Sequence, residues 1–241
     1  MLETSRFMRT ELLLGAEKMQ KLKKSTVMVV GVGAVGGYAL EAIARSGIGN
    51  IILIDCDVFE ETNINRQILA LSSTIGQKKV DVAKSRVLDI NPDCNVIAID
   101  TFVDENNVSD LLSQKIDYVI DAIDTISSKC SLLEELVKKE INFISSMGAA
   151  LRTDTSCIKL STLDKTQNCG LAKNIRHRLR QKNIDIKYIK CVYSDENITS
   201  GSILESNSIG EKNILGSLPT ITAIFGLTMA NEAIKFLTKN A

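Results

Sequence analysis

The sequence has no tryptophan, two prolines and one histidine among 241 residues, and only 4% of it is aromatic. So few prolines exclude a Pro-rich linker. So few aromatics leave little for a platform on which bases stack. Net charge is missing too, because 29 Lys and Arg balance 29 Asp and Glu. That argues against a protein wrapped in nucleic acid, although it allows a local basic patch. No apolar run approaches the ~20 residues that span a bilayer. The opening stretch is broken by Glu3, Arg6, Arg9 and Glu11 and lacks the pattern of a secretory signal, so a cytoplasmic location is expected. None of the six cysteines forms a C-x-x-C pair, which speaks for reduced thiols and against a structural zinc site. Cys56, Cys94 and Cys130 sit in or beside apolar stretches and read as buried and inert.

What is present is an ordinary globular balance, 44% hydrophobic and 24% charged, enough for a sizeable core in one large domain or two small ones. TVMVVGV (26–32) and IILID (51–55) are runs of the kind found in strands buried on both faces. NVIAIDTFV (95–103), YVIDAI (118–123) and INFISS (141–146) read as further strands. Apolar spacing predicts helices over 11–24, after residue 37, over 78–90 and over 131–140. Asn91-Pro92 ends the third of these. VFEETNINRQ (58–67) reads as irregular. The alternation predicts an α/β fold, a Rossmann-like, mostly parallel sheet flanked by helices, with a smaller C-terminal extension. Beyond residue 150, 156–162 and 188–194 are strand candidates, and 170–182 is a basic helix. Residues 195–217, rich in Ser, Asn and Gly, read as a loop, and 220–237 as an apolar helix. Asn231, Glu232 and Lys235 make that last helix a packing or dimer helix rather than a membrane span.

Gly31, Gly33 and Gly36 form G-x-G-x-x-G between the first strand and the helix after it, the context that motif requires. The first glycine serves a tight turn, the second a close approach of backbone to phosphate, the third close packing of helix on strand. The helix N-terminus favours negative charge. Asp55 ends the second strand, 24 residues beyond Gly31, where an acidic residue accepts hydrogen bonds from ribose hydroxyls. To this point a nicotinamide-dependent dehydrogenase and an ATP enzyme are equally served. Asp57, then Asn63, Asn65, Arg66 and Gln67, then G-Q-K-K ending at Lys79, separate them. Arg66 and Lys79, brought back to the loop, would neutralise a triphosphate and stabilise charge at an α-phosphate. A dehydrogenase needs no such pair. Asp121 and Asp124 lie near the carboxyl end of the strand YVI, the usual ligand edge of an open sheet. Asp124 is the candidate to hold Mg²⁺ against phosphate oxygens, and Asp121 reads as a buried hydrogen-bonding residue.

R-F-M-R, V-x-G-V-G-A-V-G, I-D-x-D, N-I-N-R-Q, G-Q-K-K and D-A-I-D-T follow in this order. Together they resemble the ThiF-type adenylating enzymes, relatives of the ubiquitin-activating enzymes, over about residues 6–150. The resemblance implies ATP and Mg²⁺, activation of a carboxylate as an acyl-adenylate, and a homodimer. It implies phosphate-loop roles for Gly31, Gly33 and Gly36, ribose contacts for Asp55 with Asp57 beside it, and phosphate contacts for Asn63, Arg66 and Lys79. Asp124 falls on the magnesium position, and Arg9 on an arginine that reaches the phosphates of the neighbouring subunit. Family members that act on sulfur-carrier or ubiquitin-like proteins commonly carry two C-x-x-C zinc pairs, and this chain has none.

The second half, with short pieces of the first, is similar to the tRNA threonylcarbamoyladenosine dehydratases, through RTELLLG (9–15), ARSGIG (44–49), INPDC (90–94), G-L-A-K-N-I-R-H-R-L-R (170–180), C-V-Y-S-D-E (191–196) and SLPTITAIFGLTMAN (217–231). That likeness implies adenylation of the threonine carboxylate of the modified adenosine beside the anticodon. AMP then leaves as the side chain closes into a cyclic form, with net loss of water. It also implies a K⁺ or Na⁺ site whose ligands the sequence does not place, and leaves room for a sulfur-transfer protein partner. Cys191 matches the C-V-Y-S segment, its role open.

Residues 173–190 carry seven basic residues against one acidic. On a helix, Lys173, Arg176 and Arg180 share a face opposite Ala172, Ile175 and Leu179, either a tRNA phosphate face or an ordinary solvated one. His177, in the same stretch, reads as a phosphate contact or surface residue rather than a general base. The expected organisation is an N-terminal helical segment (1–25), an ATP-binding adenylation domain (26–155) and a substrate and dimer region packed on the same core (156–241). The expected function is an ATP-dependent dehydratase acting on threonylcarbamoyladenosine in tRNA. The rivals are an adenylating enzyme for a sulfur-carrier or ubiquitin-like C-terminus, a nicotinamide-dependent oxidoreductase, and a non-catalytic nucleotide-binding scaffold.

Overall fold

β1 (Thr26–Val30), β2 (Asn50–Asp55) and β4 (Tyr118–Asp121) are apolar runs whose inner residues are closed to solvent. Strands buried on both faces need helices on both sides. The computed structural model describes residues 5–198, 203–204 and 214–239. Within them α1 (Met8–Leu14) and α2 (Ala16–Lys24) precede β1, and α3 (Gly36–Arg45) leads to β2. α4 (Lys79–Ile90) leads to β3 (Asn95–Asp100), α5 (Val108–Leu111) to β4, and α6 (Ile126–Lys138) to β5 (Phe143–Ser146). β6 (Ile158–Thr162), α7 (Gly170–Gln181), β7 (Lys190–Ser194) and α8 (Pro219–Leu237) follow, with β8 (Ile203–Leu204) paired to β9 (Ile214–Leu215) between the last two.

The seven-stranded sheet runs β3-β2-β1-β4-β5-β7-β6, parallel throughout except for β6, which lies antiparallel on β7. Val30 pairs with Ile54 on one side and Asp121 on the other. The strand order therefore reverses between β1 and β4, and a crevice opens at their carboxyl ends, where open α/β sheets bind ligands. β6 and β7 extend the same sheet past residue 155, so the C-terminal region shares the sheet of the glycine-loop half.

The period of two along β1 divides the core. Val27 and Val29 meet Leu40 and Ile43 of α3 and Phe225 and Met229 of α8 on one face. Met28 and Val30 meet Leu132 and Leu136 of α6 on the other. α8 is thus a packing helix, and among the described residues no helix is long and apolar enough to cross a membrane.

Four expectations need correction. The pattern over 11–24 is two helices, broken where Gly15 takes φ +90°. The helix predicted over 131–140 starts earlier, at Ile126. Cys94 and Cys130 are buried, but Cys56 is exposed, because β2 ends at Asp55 and the chain leaves the sheet there. The expected loop over 195–217 holds the β8–β9 pair, and its residues 199–202 and 205–213 lie outside the described residues.

A Cβ on Gly36 would fall 1.8 Å from the Gly31 carbonyl oxygen and 3.2 Å from the Ala122 methyl. Gly36→Ala is expected to destabilise the protein by about 1–3 kcal/mol, as overpacking does, read as a lower urea midpoint at unchanged slope.

Candidate active site

The crevice starts where β1 stops. The chain turns at Gly31, whose φ of +87° suits only glycine, and the Gly31 N–H donates to the Ile54 carbonyl at 2.8 Å. A side chain there would meet the Ala122 carbonyl oxygen at 2.9 Å. α3 then begins at Gly36 with no side chain capping its N-terminus, which leaves that end to an anion.

Asp55 ties this loop to the end of β2. Its Oδ2 accepts from the Val32 N–H at 2.6 Å and its Oδ1 from the Asp57 N–H at 2.9 Å. Each oxygen keeps a further lone pair for a hydroxyl donor. Lys79, the first residue of α4, is nearly buried, and its Nζ donates to Asp57 Oδ2 at 2.7 Å. Asn63 is buried and caps its own 3₁₀ turn, accepting from the Glu60 N–H at 3.3 Å. Arg66 donates through Nη1 to the Thr62 carbonyl and to Asn65 Oδ1, both at 2.8 Å. Asn65 in turn donates to the Ser217 carbonyl at 3.2 Å, joining this segment to the chain ahead of α8.

The side chain that sequence reasoning left unassigned here is Gln67. It is buried, its amide lies 3.9 Å from where a Gly33 Cβ would stand, and among the described residues its Oε1 has no hydrogen-bond partner. An unpaired buried acceptor is costly, so one beside the glycine loop is a candidate to bond a ligand. Only its place in N-I-N-R-Q signalled it.

On the β4 side, Asp124 is exposed, and the Thr125 hydroxyl donates to it at 3.3 Å. Asp121 is fully buried, as expected, but its partner was missed. Lys129 of α6, also fully buried, donates to Asp121 Oδ2 at 2.6 Å. Removing one member of such a pair costs roughly 3–5 kcal/mol. The signal was a lysine on the buried stripe of Ile126, Cys130 and Leu133. Among the described residues, Asp55, Cys56 and Asp57 form the one grouping with three ligand atoms within 4.8 Å of one another. Backbone N–H groups and Lys79 already compensate its carboxylates.

Arg9 stands elsewhere. Its neighbour Arg6 donates to the Asp89 and Ile90 carbonyls at the end of α4, and Phe7 packs by Gly47 beyond the end of α3. That is the amino edge of the sheet, so Arg9 does not meet the crevice of its own chain. On α7, Ala172, Ile175 and Leu179 are buried, and Lys173 and Arg180 are exposed. Arg176 departs from the expected basic face. Its guanidinium turns inward onto the Thr166 hydroxyl and the Thr166 carbonyl, the latter at 3.0 Å. His177 is exposed and bonds to Gln181 at 3.1 Å. Arg152, also missed, is buried between the Glu196 and Asn168 carbonyls and pins the chain after β5 to the end of β7. The Asp154 and Thr153 N–H groups hold the Glu196 carboxyl below its ordinary range. Cys191 is fully buried, and burial pushes its thiol up to about 12, the setting of an inert rather than a reactive cysteine.

The ThiF family model matches residues 5–241. A relative from Bacillus subtilis (strain 168), named tRNA threonylcarbamoyladenosine dehydratase, is 47% identical over 190 residues, covering 79% of this chain and 74% of its own. A solved structure of the tRNA N6-threonylcarbamoyladenosine dehydratase of E. coli in complex with ATP is 34% identical and superposes with a TM-score of 0.89, over 97% of this chain and 94% of that one. The same protein in complex with AMP gives 35% and 0.88 at the same coverage.

Partial desolvation by its neighbours, then the charges of Asp57 and Asp55, raise the Cys56 thiol above its ordinary value. A maleimide should therefore label Cys56 slowly and Cys157 alongside it, leaving Cys94, Cys130 and Cys191 unmodified in the native protein. Saturating nucleotide should slow labelling at Cys56 alone, as peptide mass mapping would show. Equal protection at Cys157 would argue against the site.

Proposed function

The chain belongs to the ThiF family, and on that premise we propose that it catalyses the ATP-dependent dehydration of threonylcarbamoyladenosine in tRNA. The observation that carries this reading is the crevice at the β1–β4 reversal. There a glycine loop, Asp55, Lys79 and a buried, unpaired Gln67 oxygen converge, on a chain that matches an ATP-bound relative along nearly all of its length.

In the proposed reaction a threonine carboxylate oxygen attacks the α-phosphorus of ATP. The bond to the bridging oxygen of pyrophosphate breaks, and an acyl-adenylate forms. The ureido group of the same side chain attacks the acyl carbon, a proton passes to solvent, and AMP leaves with the former carboxylate oxygen. The nucleoside has then lost one water. Both partners of the second step belong to one side chain, so holding them in place supplies much of the rate. The N-terminus of α3 and the loop N–H groups take phosphate oxygens, and Asp55 takes the ribose hydroxyls. Lys79 and Arg66 stabilise the charge that develops at the α-phosphate. Asn63 holds the turn that presents Arg66.

Asp124 fits a magnesium ligand. It offers hard oxygen donors, it is exposed, and among the described residues no cation pairs with it. A bound Mg²⁺ would neutralise phosphate charge there, with water and phosphate oxygens completing its shell. The reading includes a homodimer, because Arg9 at the amino edge can reach a crevice only in a second copy. α1 also exposes Leu12 (61%) and Leu13 (83%), apolar area that an interface would cover. Lys173 and Arg180 are the candidate tRNA phosphate contacts, and the reading assigns the protein to the cytoplasm. The rival reading, a sulfur-carrier adenylating enzyme, lacks support from the cysteines, none of which forms a C-x-x-C pair.

The test is incubation with ATP, Mg²⁺ and tRNA bearing threonylcarbamoyladenosine, with KCl and NaCl compared and no other protein added. Gentle digestion and mass spectrometry should find the nucleoside minus one water, with AMP in equal amount. Arg66→Ala and Asp124→Ala should each lower turnover roughly 10²–10³-fold, as loss of transition-state charge stabilisation does, at an unchanged thermal midpoint. Unchanged AMP formation in both would remove these residues from the site.

A further inference from the structure

We propose that Lys129 is a positioning residue for the adenylation site, acting through Asp121 on the backbone of residues 122–124; this rests on the function proposed above. Asp121 closes β4, between Val30 on one neighbouring strand and Ser145 on the other. Its carboxylate accepts three hydrogen bonds. Lys129 Nζ and Ser145 Oγ both donate to Oδ2 at 2.6 Å, and the Ile123 N–H donates to Oδ1 at 3.1 Å. Lys129 Nζ also donates to Ser145 Oγ at 3.1 Å. All three side chains are closed to solvent.

The amide held by Asp121 is the one that abuts the phosphate loop. The Ile123 nitrogen lies 3.3 Å, and the Ala122 carbonyl oxygen 2.9 Å, from the place of a Gly31 Cβ. The Ala122 N–H is itself bonded to the Val30 carbonyl at 2.8 Å. Asp124 is the next residue after Ile123. The same short stretch therefore touches the loop that takes phosphate and carries the exposed carboxylate.

A buried ion pair is poor value as a source of stability, since apolar residues of like volume would serve as well. What it does here is fix direction. Two donors on Oδ2 hold the carboxylate in one orientation, and Oδ1 then has one place to receive the Ile123 N–H. Without Lys129 the carboxylate is left uncompensated in the core, and the tether on Ile123 loosens. Misplacement of about an ångström at a reacting centre is enough for a hundredfold loss. The ribose contact through Asp55 lies on β2, away from this stretch, so AMP keeps most of its affinity while the reacting groups lose their alignment.

The test uses the full chain as Lys129→Met, and as the double variant Asp121→Asn with Lys129→Met, which removes both charges and carries the test where the single variant fails to fold. Three quantities are read: kcat for AMP formation on the modified tRNA, AMP affinity by calorimetry without metal, and hydrogen exchange of peptides spanning 119–125. The expected result is a kcat lowered roughly ten- to hundredfold with AMP affinity within about twofold, and faster exchange at 121–125. A folded variant with wild-type kcat, or with lowered kcat but wild-type exchange at 121–125, overturns the proposal. A wild-type protein that forms no AMP would instead overturn the function, and the exchange measurement would still decide the tether.

Discussion

The structure depends on how closely two backbones approach at the point where the strand order reverses. Gly31 and Gly36 sit against one another and against Ala122 at distances that no side chain tolerates. That contact lets α3 rise directly from the end of β1, so its N-terminus faces the crevice rather than solvent. The rest of the site is attached to this junction. Asp55 holds the loop from the β2 side through the Val32 N–H, Gln67 closes over Gly33, and Asp121 holds the Ile123 amide from the β4 side. α8 keeps α3 in place from behind, with Phe225 and Met229 in the same core as Leu40 and Ile43.

The site also shows how a chain of zero net charge can prepare for a highly charged ligand. Two of its lysines are paired locally before any ligand arrives. Lys79 rests on Asp57, and because Asp57 is 62% exposed, solvent screens the pair and it contributes little to stability. A phosphate can share or take over that ammonium at small cost. Asp121 and Lys129 are the opposite case, with neither exposed at all, so the pair cannot be exchanged for solvent and serves as a fixed point. One ion pair is weak enough to yield to the ligand, and the other is strong enough to keep its surroundings still. Burial alone separates them.

Much of this was legible in the sequence because it is written in period and spacing. The glycine motif between a buried run and a helix, Asp55 at the end of the next run, and the alternation of strands and helices along the chain all follow from local pattern, and all are in the structure. What was not legible depends on partners distant in the chain. Arg176 has the helical phase of a solvated face, but the Thr166 carbonyl and hydroxyl lie across from it and need a donor. Lys129 looks misplaced on an apolar stripe until Asp121 and Ser145 are brought beside it by β4 and β5. Cys56 reads as a core residue because the apolar run 51–54 stands just before it, but the strand stops at Asp55, one residue short of it. Periodicity says which face a residue shares; it does not say what the fold sets opposite that face.

The position of Arg9 bears on the assembly through a balance of charge. In the proposed site one chain offers the phosphates two cations, and each is partly committed. Arg66 serves the Thr62 carbonyl and the Asn65 side chain, and Lys79 serves Asp57. The N-terminus of α3 adds the equivalent of about half a positive charge. A triphosphate brings more negative charge than these match even with a Mg²⁺ held at Asp124, whose charge Asp124 and Asp57 partly cancel, so a site built from one chain would leave part of it to solvent. The amino-edge helix α1 carries a cation and two exposed leucines on a short segment held by Arg6 and Phe7 rather than by its own core. A helix anchored at its root, apolar along its free surface and charged beside it, is suited to reach across to another copy. In the proposed enzyme the missing charge then comes from a second subunit, and dimer formation and completion of the active site become one event.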